Sequence, residues 1–176
     1  MGNRTGYSRL IARILSGISW FLFVVAMPNA AHAENSCPWL TEATASGLIG
    51  VESVGSFIPA TGERPAVCTF TQKDHARARS LTIAVEIAND SHARMTALAQ
   101  ACGSNAGVLN AIGNEAVYCA ADPHRGELGE RAVGRVRDKV FTIVIDTKAK
   151  DEPVLSRDML KSRIYTAAEQ VAGNLF

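Results

Sequence analysis

The chain has 176 residues, with 18 basic and 17 acidic side chains and four cysteines. That is room for one domain and a short accessory segment. A near-neutral composition without a basic run argues against nucleic acid or an acidic membrane surface as partner.

Residues 1–33 read as a targeting segment. Arg4, Arg9 and Arg13 form a basic start, and no acidic residue precedes Glu34. Ile14 to Met27 is a nearly unbroken apolar run of 14 residues, shorter than the roughly 20 needed to span a bilayer. Pro28 ends the run, and Ala31-His32-Ala33 offers the small-x-small pattern of a signal-peptidase site. Cleavage is therefore expected between Ala33 and Glu34. Cys37 follows Glu34, Asn35 and Ser36. A glutamate where lipoprotein processing takes a Leu-like residue argues against a lipid anchor, and no arginine pair points to the twin-arginine route. The expected product is a free domain of residues 34–176, with 15 basic and 17 acidic side chains and a formal charge of −2.

Thr41 is a good N-cap for a short helix through Ile49, with Glu42 at its positive end and Gly50 to terminate it. Residues 51–58 suit an extended segment, followed by a turn-rich stretch from Pro59 to Pro65. Ala66 to Gln72 reads as a strand with Cys68 and Phe70 on one side. Ser80 to Ala88 alternates Leu81, Ile83, Val85 and Ile87 with smaller or polar residues, the period of a sheet with one buried face. Asp90 or Ser91 then caps a helix carrying Met95, Leu98, Ala99 and Cys102 on one stripe, which Gly103 should end. Glu115 to Ala120 is a short strand. Ala132 to Arg137 and Val140 to Thr147 should form a hairpin around Asp138-Lys139. Phe141, Ile143 and Ile145 would face the core. Asp151-Glu152-Pro153 opens a long C-terminal helix with Leu160, Ile164, Ala167, Ala168 and Val171 as its apolar stripe, closed by Gly173. The expected architecture is α+β, an antiparallel sheet of about five to six strands packed by helices.

Cys37, Cys68, Cys102 and Cys119 are an even set in a chain expected to be exported, which favours disulfides. No CxxC pair suggests a redox site or zinc ribbon. Of three connectivities, Cys37–Cys68 with Cys102–Cys119 is preferred, because each would tie an element end to a nearby strand.

Four stretches, Cys37-Pro38-Trp39-Leu40-Thr41, Cys68-Thr69-Phe70, Gly113-Asn114-Glu115-Ala116 and the hairpin Val133 to Ile145, give the chain a resemblance to a family of small exported bacterial proteins. Many of its members are lipoproteins, and the family is catalogued as a domain of unknown function. The resemblance covers nearly all of residues 34–176 and implies a sheet packed by helices, similar to the extrinsic PsbP-type photosystem proteins. It supplies no activity and no catalytic residues, and the missing lipobox sets this chain apart from the lipoprotein members.

Candidate chemistry is sparse. His75, His92 and His124 lie far apart, outside any HxxxH or HExxH spacing. No GxSxG elbow or SxxK motif marks a nucleophile. Gly103-Ser104-Asn105-Ala106-Gly107 lacks the lysine of a phosphate loop and follows a helix, where such a loop follows a strand. Asn110, Gly113 and Asn114 suit turns. Arg131, Arg135, Arg137 and Lys139 alternate as a basic stripe along one strand face, offset by Glu127, Glu130 and Asp138. No catalytic, cofactor-binding or metal-ligating set is expected. The sequence points to a non-enzymatic binding or accessory protein of the cell envelope or secreted fraction, acting on an unidentified protein or polymer. The alternatives are a small hydrolase with a non-sequential site, in which His75 or His124 would meet a serine or carboxylate, and a carrier of a small apolar ligand. The carrier would show an internal cavity of about 300 Å³ or more.

Overall fold

A computed structural model describes residues 36–73, 79–121, 128–147 and 155–176. Among the described residues the chain forms three helices and seven strands. Their order is α1 (Glu42–Ile49), β1 (Ser53–Ile58), β2 (Ala66–Gln72), β3 (Arg79–Ile87), α2 (Ser91–Ala99), β4 (Gly107–Val108), β5 (Glu115–Ala120), β6 (Leu128–Val136), β7 (Lys139–Thr147) and α3 (Arg157–Leu175). The strands make one antiparallel sheet in the order β1-β2-β3-β7-β6-β5-β4. The architecture is α+β.

Local chemistry sets the first helix and protects the sheet edge beside it. The Thr41 side chain accepts a hydrogen bond from the Thr44 N–H, and Gly50 closes the helix at φ 73°, donating its N–H to the Ser46 carbonyl. Two guanidinium groups finish the negative end of α1. Arg163 donates to the Leu48 carbonyl at 2.6 Å and Arg79 to the Ile49 carbonyl at 3.1 Å. Side chains of α1 also occupy outward N–H groups of β1: Ser46 Oγ accepts from Ser53, and Glu42 Oε1 from Gly55 at 2.7 Å. An edge strand covered in this way is a poor template for pairing with another chain.

The main core lies between one face of the sheet and helices α1 and α3. Phe70, Leu81, Ile83, Phe141, Ile143 and Ile145 are at most 1% exposed. Opposite them α3 presents Leu160, Ile164, Ala168, Val171 and Leu175, a stripe at helical spacing. Alanines 167, 168 and 172 keep the helix close to the strands. On β6, Gly134 makes room for the Phe141 ring, which a Cβ there would meet at 2.5 Å. On the other face α2 packs a smaller cluster, Met95 against Val133 and Val140.

The disulfides join Cys37 to Cys68 and Cys102 to Cys119, the pairs preferred from the sequence, with Cα–Cα distances of 5.6 and 5.4 Å. They sit on opposite faces. Cys68 is in register with core-facing Ile83, whereas Cys119 is in register with Arg131 on the α2 side.

Several expectations need correction. The sheet has seven strands, not five or six, because Gly107–Val108 pairs with Tyr118 and Val117. Strand β6 begins at Leu128, four residues before Ala132, and the turn is Arg137-Asp138, since Val136 pairs with Lys139. The turn puts Arg137 at φ 57°, and its N–H donates to Asn114 Oδ1 at 2.6 Å. Helix α2 ends at Ala99 and passes into a 3-10 stretch, Gln100–Asn105, in which Gly103 is non-helical. Helix α3 starts at Arg157 with Ser156 as its cap; the expected start at Asp151–Pro153 lies outside the described residues. Gly173 does not close α3, which continues to a buried Leu175 while Asn174 Nδ2 donates to the Trp39 carbonyl at 2.9 Å.

Candidate functional site

The first disulfide builds one wall of a pocket. By fixing Cys37 to the middle of β2, it brings Trp39 alongside Ala66 on the core face of the sheet. The Trp39 ring meets Phe57 edge-on at 5.9 Å and is only 9% exposed. Asn174, in the last turn of α3, holds the backbone of the same residue. Between these walls and the strand ends is a pocket of about 390 Å³. Its apolar lining is Trp39, Ala60, Ala66, Val85, Ile87 and Leu175, and its polar lining includes Glu63, Arg64, Lys139 and Asn174. It opens to solvent past Ile87, which is 75% exposed, so it is a surface pocket and not the internal cavity expected of a carrier.

The rim has a defined charge. Lys139 Nζ donates to the Leu175 carbonyl at 2.8 Å, a neutral acceptor. Arg64 ends a tight turn closed by backbone hydrogen bonds with Thr61, in which Gly62 has φ 58°. Ion pairs among the described residues join Lys73 to Glu52, His92 to Glu115, Arg94 to Glu86 and Arg135 to Glu115. Neither Arg64 nor Lys139 is in that set.

No protein-family model and no curated protein matches the chain. The site therefore has to be read from its own geometry.

The residues singled out from sequence are scattered. Ala33, Glu34, His75 and His124 lie outside the described residues. His92 Nδ1 meets Glu115 Oε1 at 2.6 Å on the α2 side of the sheet, and Arg135 Nε bonds the same carboxylate oxygen. The bond from Arg135 and then that from His92 hold the Glu115 carboxyl below the usual carboxylate range. The nearby Ser91 hydroxyl donates to the Arg137 carbonyl, so it is committed to the backbone. The cluster pins α2 to β5.

The basic stripe does not form. Arg131 and Arg135 share the α2 face of β6, Arg137 is in the turn, and Lys139 faces the core side on β7. Glu130 also faces the core side, opposite Ile145, and is 5% exposed. Burial raises its pKa above the carboxylate range, against the opposing pull of Arg157 and Lys161. A shallower groove of about 470 Å³ runs beside it, where Lys161 lies over the Tyr118 ring at 4.9 Å. Its walls include the exposed Asp158, Lys161 and Ser162. Among the described residues no group of three or more His, Cys, Asp or Glu converges as a metal site.

The Trp39 pocket is not legible in the sequence. Trp39 stood out only within a short motif, and nothing in its spacing connects it to Val85 or Leu175. The one usable signal was Ile87, the last member of an apolar alternation, placed where a strand leaves the core.

Proposed function

We propose that this chain is an exported, non-catalytic binding domain that takes a small apolar ligand in the Trp39 pocket. The observation that carries the reading is the pocket itself: about 390 Å³, walled by a buried tryptophan, an apolar strand surface and a helix end. Ligand sites are typically concave and mostly apolar, with a few polar groups fixing orientation, and fall at about 300–1,000 Å³. Export is supported by the leader-like residues 1–33 and by two disulfides, which persist outside reducing compartments. Among the described residues no helix is long and apolar enough to cross a membrane. The domain would act in the cell envelope or secreted fraction.

The test uses Trp39 as reporter. In a Trp20→Phe background it is the one tryptophan of the chain, and titration with 1-decanol should change its emission saturably. Ile87→Ser removes an exposed apolar wall without touching the core. Losing roughly 1–2 kcal/mol of apolar contact, it should weaken binding about ten-fold. A linear, non-saturating response identical in the parent and Ile87→Ser would refute the pocket as a ligand site.

A further inference from the structure

Resting on the pocket reading above, we infer that the preferred ligand is an apolar molecule with an anionic head, a carboxylate set against Lys139 and Arg64 at the rim. Three observations lead there. Lys139 has three N–H groups, and among the described residues its Nζ has one acceptor, the uncharged Leu175 carbonyl at 2.8 Å. Its ammonium charge is therefore uncompensated where it faces the pocket. Arg64 is exposed, takes part in none of the ion pairs among the described residues, and has its backbone fixed by the Thr61 turn. That turn holds the Arg64 backbone beside the pocket, whose lining the residue joins.

The acidic residues of the lining do not cancel this. Glu86 belongs to the opposite face, in register with Val140, and Arg94 holds its carboxylate through two bonds of 2.7 and 3.2 Å. Only Glu63, exposed in the turn, offsets the two cations. The rim has one positive charge in excess, close to an apolar wall that excludes water from one side. A cationic head would meet repulsion from both Lys139 and Arg64, and a neutral head would leave the free ammonium donors to water. A carboxylate matches both groups, bidentate on the guanidinium fork, with its chain along Trp39, Val85 and Ile87.

Decanoate, 1-decanol and decylamine share a chain and differ in head charge. Titrated against the full-length Trp20→Phe protein at low salt, decanoate should bind about ten-fold more tightly than decanol, with decylamine weakest. Raising the salt should narrow the gap, because the rim is open to solvent. Arg64→Gln changes an exposed side chain, and Lys139→Met keeps the apolar stem. Each should reduce the preference for decanoate over decanol to about three-fold or less. Decanol binding as tightly as decanoate, or decylamine binding best, would overturn the anionic head and leave the pocket reading standing. If none of the three binds, the pocket reading falls and this inference with it.

Discussion

Replacing Cys37 and Cys68 by serine separates two consequences of one bridge. In the chain-entropy description, a loop closed across 31 residues contributes about 4 kcal/mol, and the Cys102–Cys119 bridge, across 17, about 3 kcal/mol. With a urea slope of about 2 kcal/mol/M, either double variant should lower the unfolding midpoint by roughly 1.5–2 M. Their effects on the pocket should differ. Cys37 is two residues from Trp39 and its bridge lies on the core face, whereas Cys102–Cys119 lies on the α2 face. In the Trp20→Phe background, Cys37→Ser/Cys68→Ser should shift the Trp39 emission to the red in the absence of urea, as an indole that is 9% exposed becomes wet. Cys102→Ser/Cys119→Ser should leave the emission at its native position despite a similar loss of stability. An equal red shift in both variants, or none in the first, would show that the Cys37–Cys68 bridge does not build the pocket wall.

Two further substitutions test the local physics. Glu130 is buried and its pKa is raised, so its contribution to stability is complete below the usual carboxylate range and is lost as pH rises through the raised value. Glu130→Gln should accordingly be more stable than the parent at about pH 7, with the advantage gone near pH 3.5, read from urea midpoints at the two pH values. A constant difference at both would argue that the carboxyl is not destabilised by burial. In the β4–β5 connection, Gly113 has φ 57° and a Cβ there would lie 2.4 Å from the Arg135 carbonyl oxygen, so Gly113→Ala should cost about 2–4 kcal/mol in thermal unfolding. Two residues earlier Ala111 has φ 63°; Ala111→Gly relieves about 1–2 kcal/mol of strain against about 0.4–1 kcal/mol of chain entropy, and should stabilise slightly.

The elements with strong local signals were legible in the sequence. Thr41 and Gly50 bracket α1 because a hydroxyl acceptor and a residue tolerant of positive φ are what helix ends require. The Leu81–Ile87 alternation marks a half-buried strand in the same way. What was missed depends on partners distant in sequence. A two-residue strand such as Gly107–Val108 has no period to detect, and it is a strand because Tyr118 and Val117 are beside it. The hairpin turn falls one residue early because that register sets Gly134 opposite Phe141, whose ring needs the space a Cβ would fill, and this outweighs the cost of positive φ at Arg137. Gly173 reads as a stop, but the burial of Leu175 and the Asn174 bond to Trp39 carry the helix past it. The pocket was illegible for the same reason: Trp39, Ala66, Val85 and Leu175 come from four segments that only the sheet and one disulfide bring together.

The most direct test of the central claim is to follow the backbone amides and the Trp39 indole of the 15N-labelled protein by NMR while adding decanoate. A ligand seated in the Trp39 pocket gives saturable shifts at Trp39, Ala66, Val85, Ile87 and Leu175, with little change around Tyr118 and Lys161 or on the far face at Thr69 and Val144. Shifts centred on the Tyr118–Lys161 groove or on the far face, or no saturable shift anywhere, would contradict it.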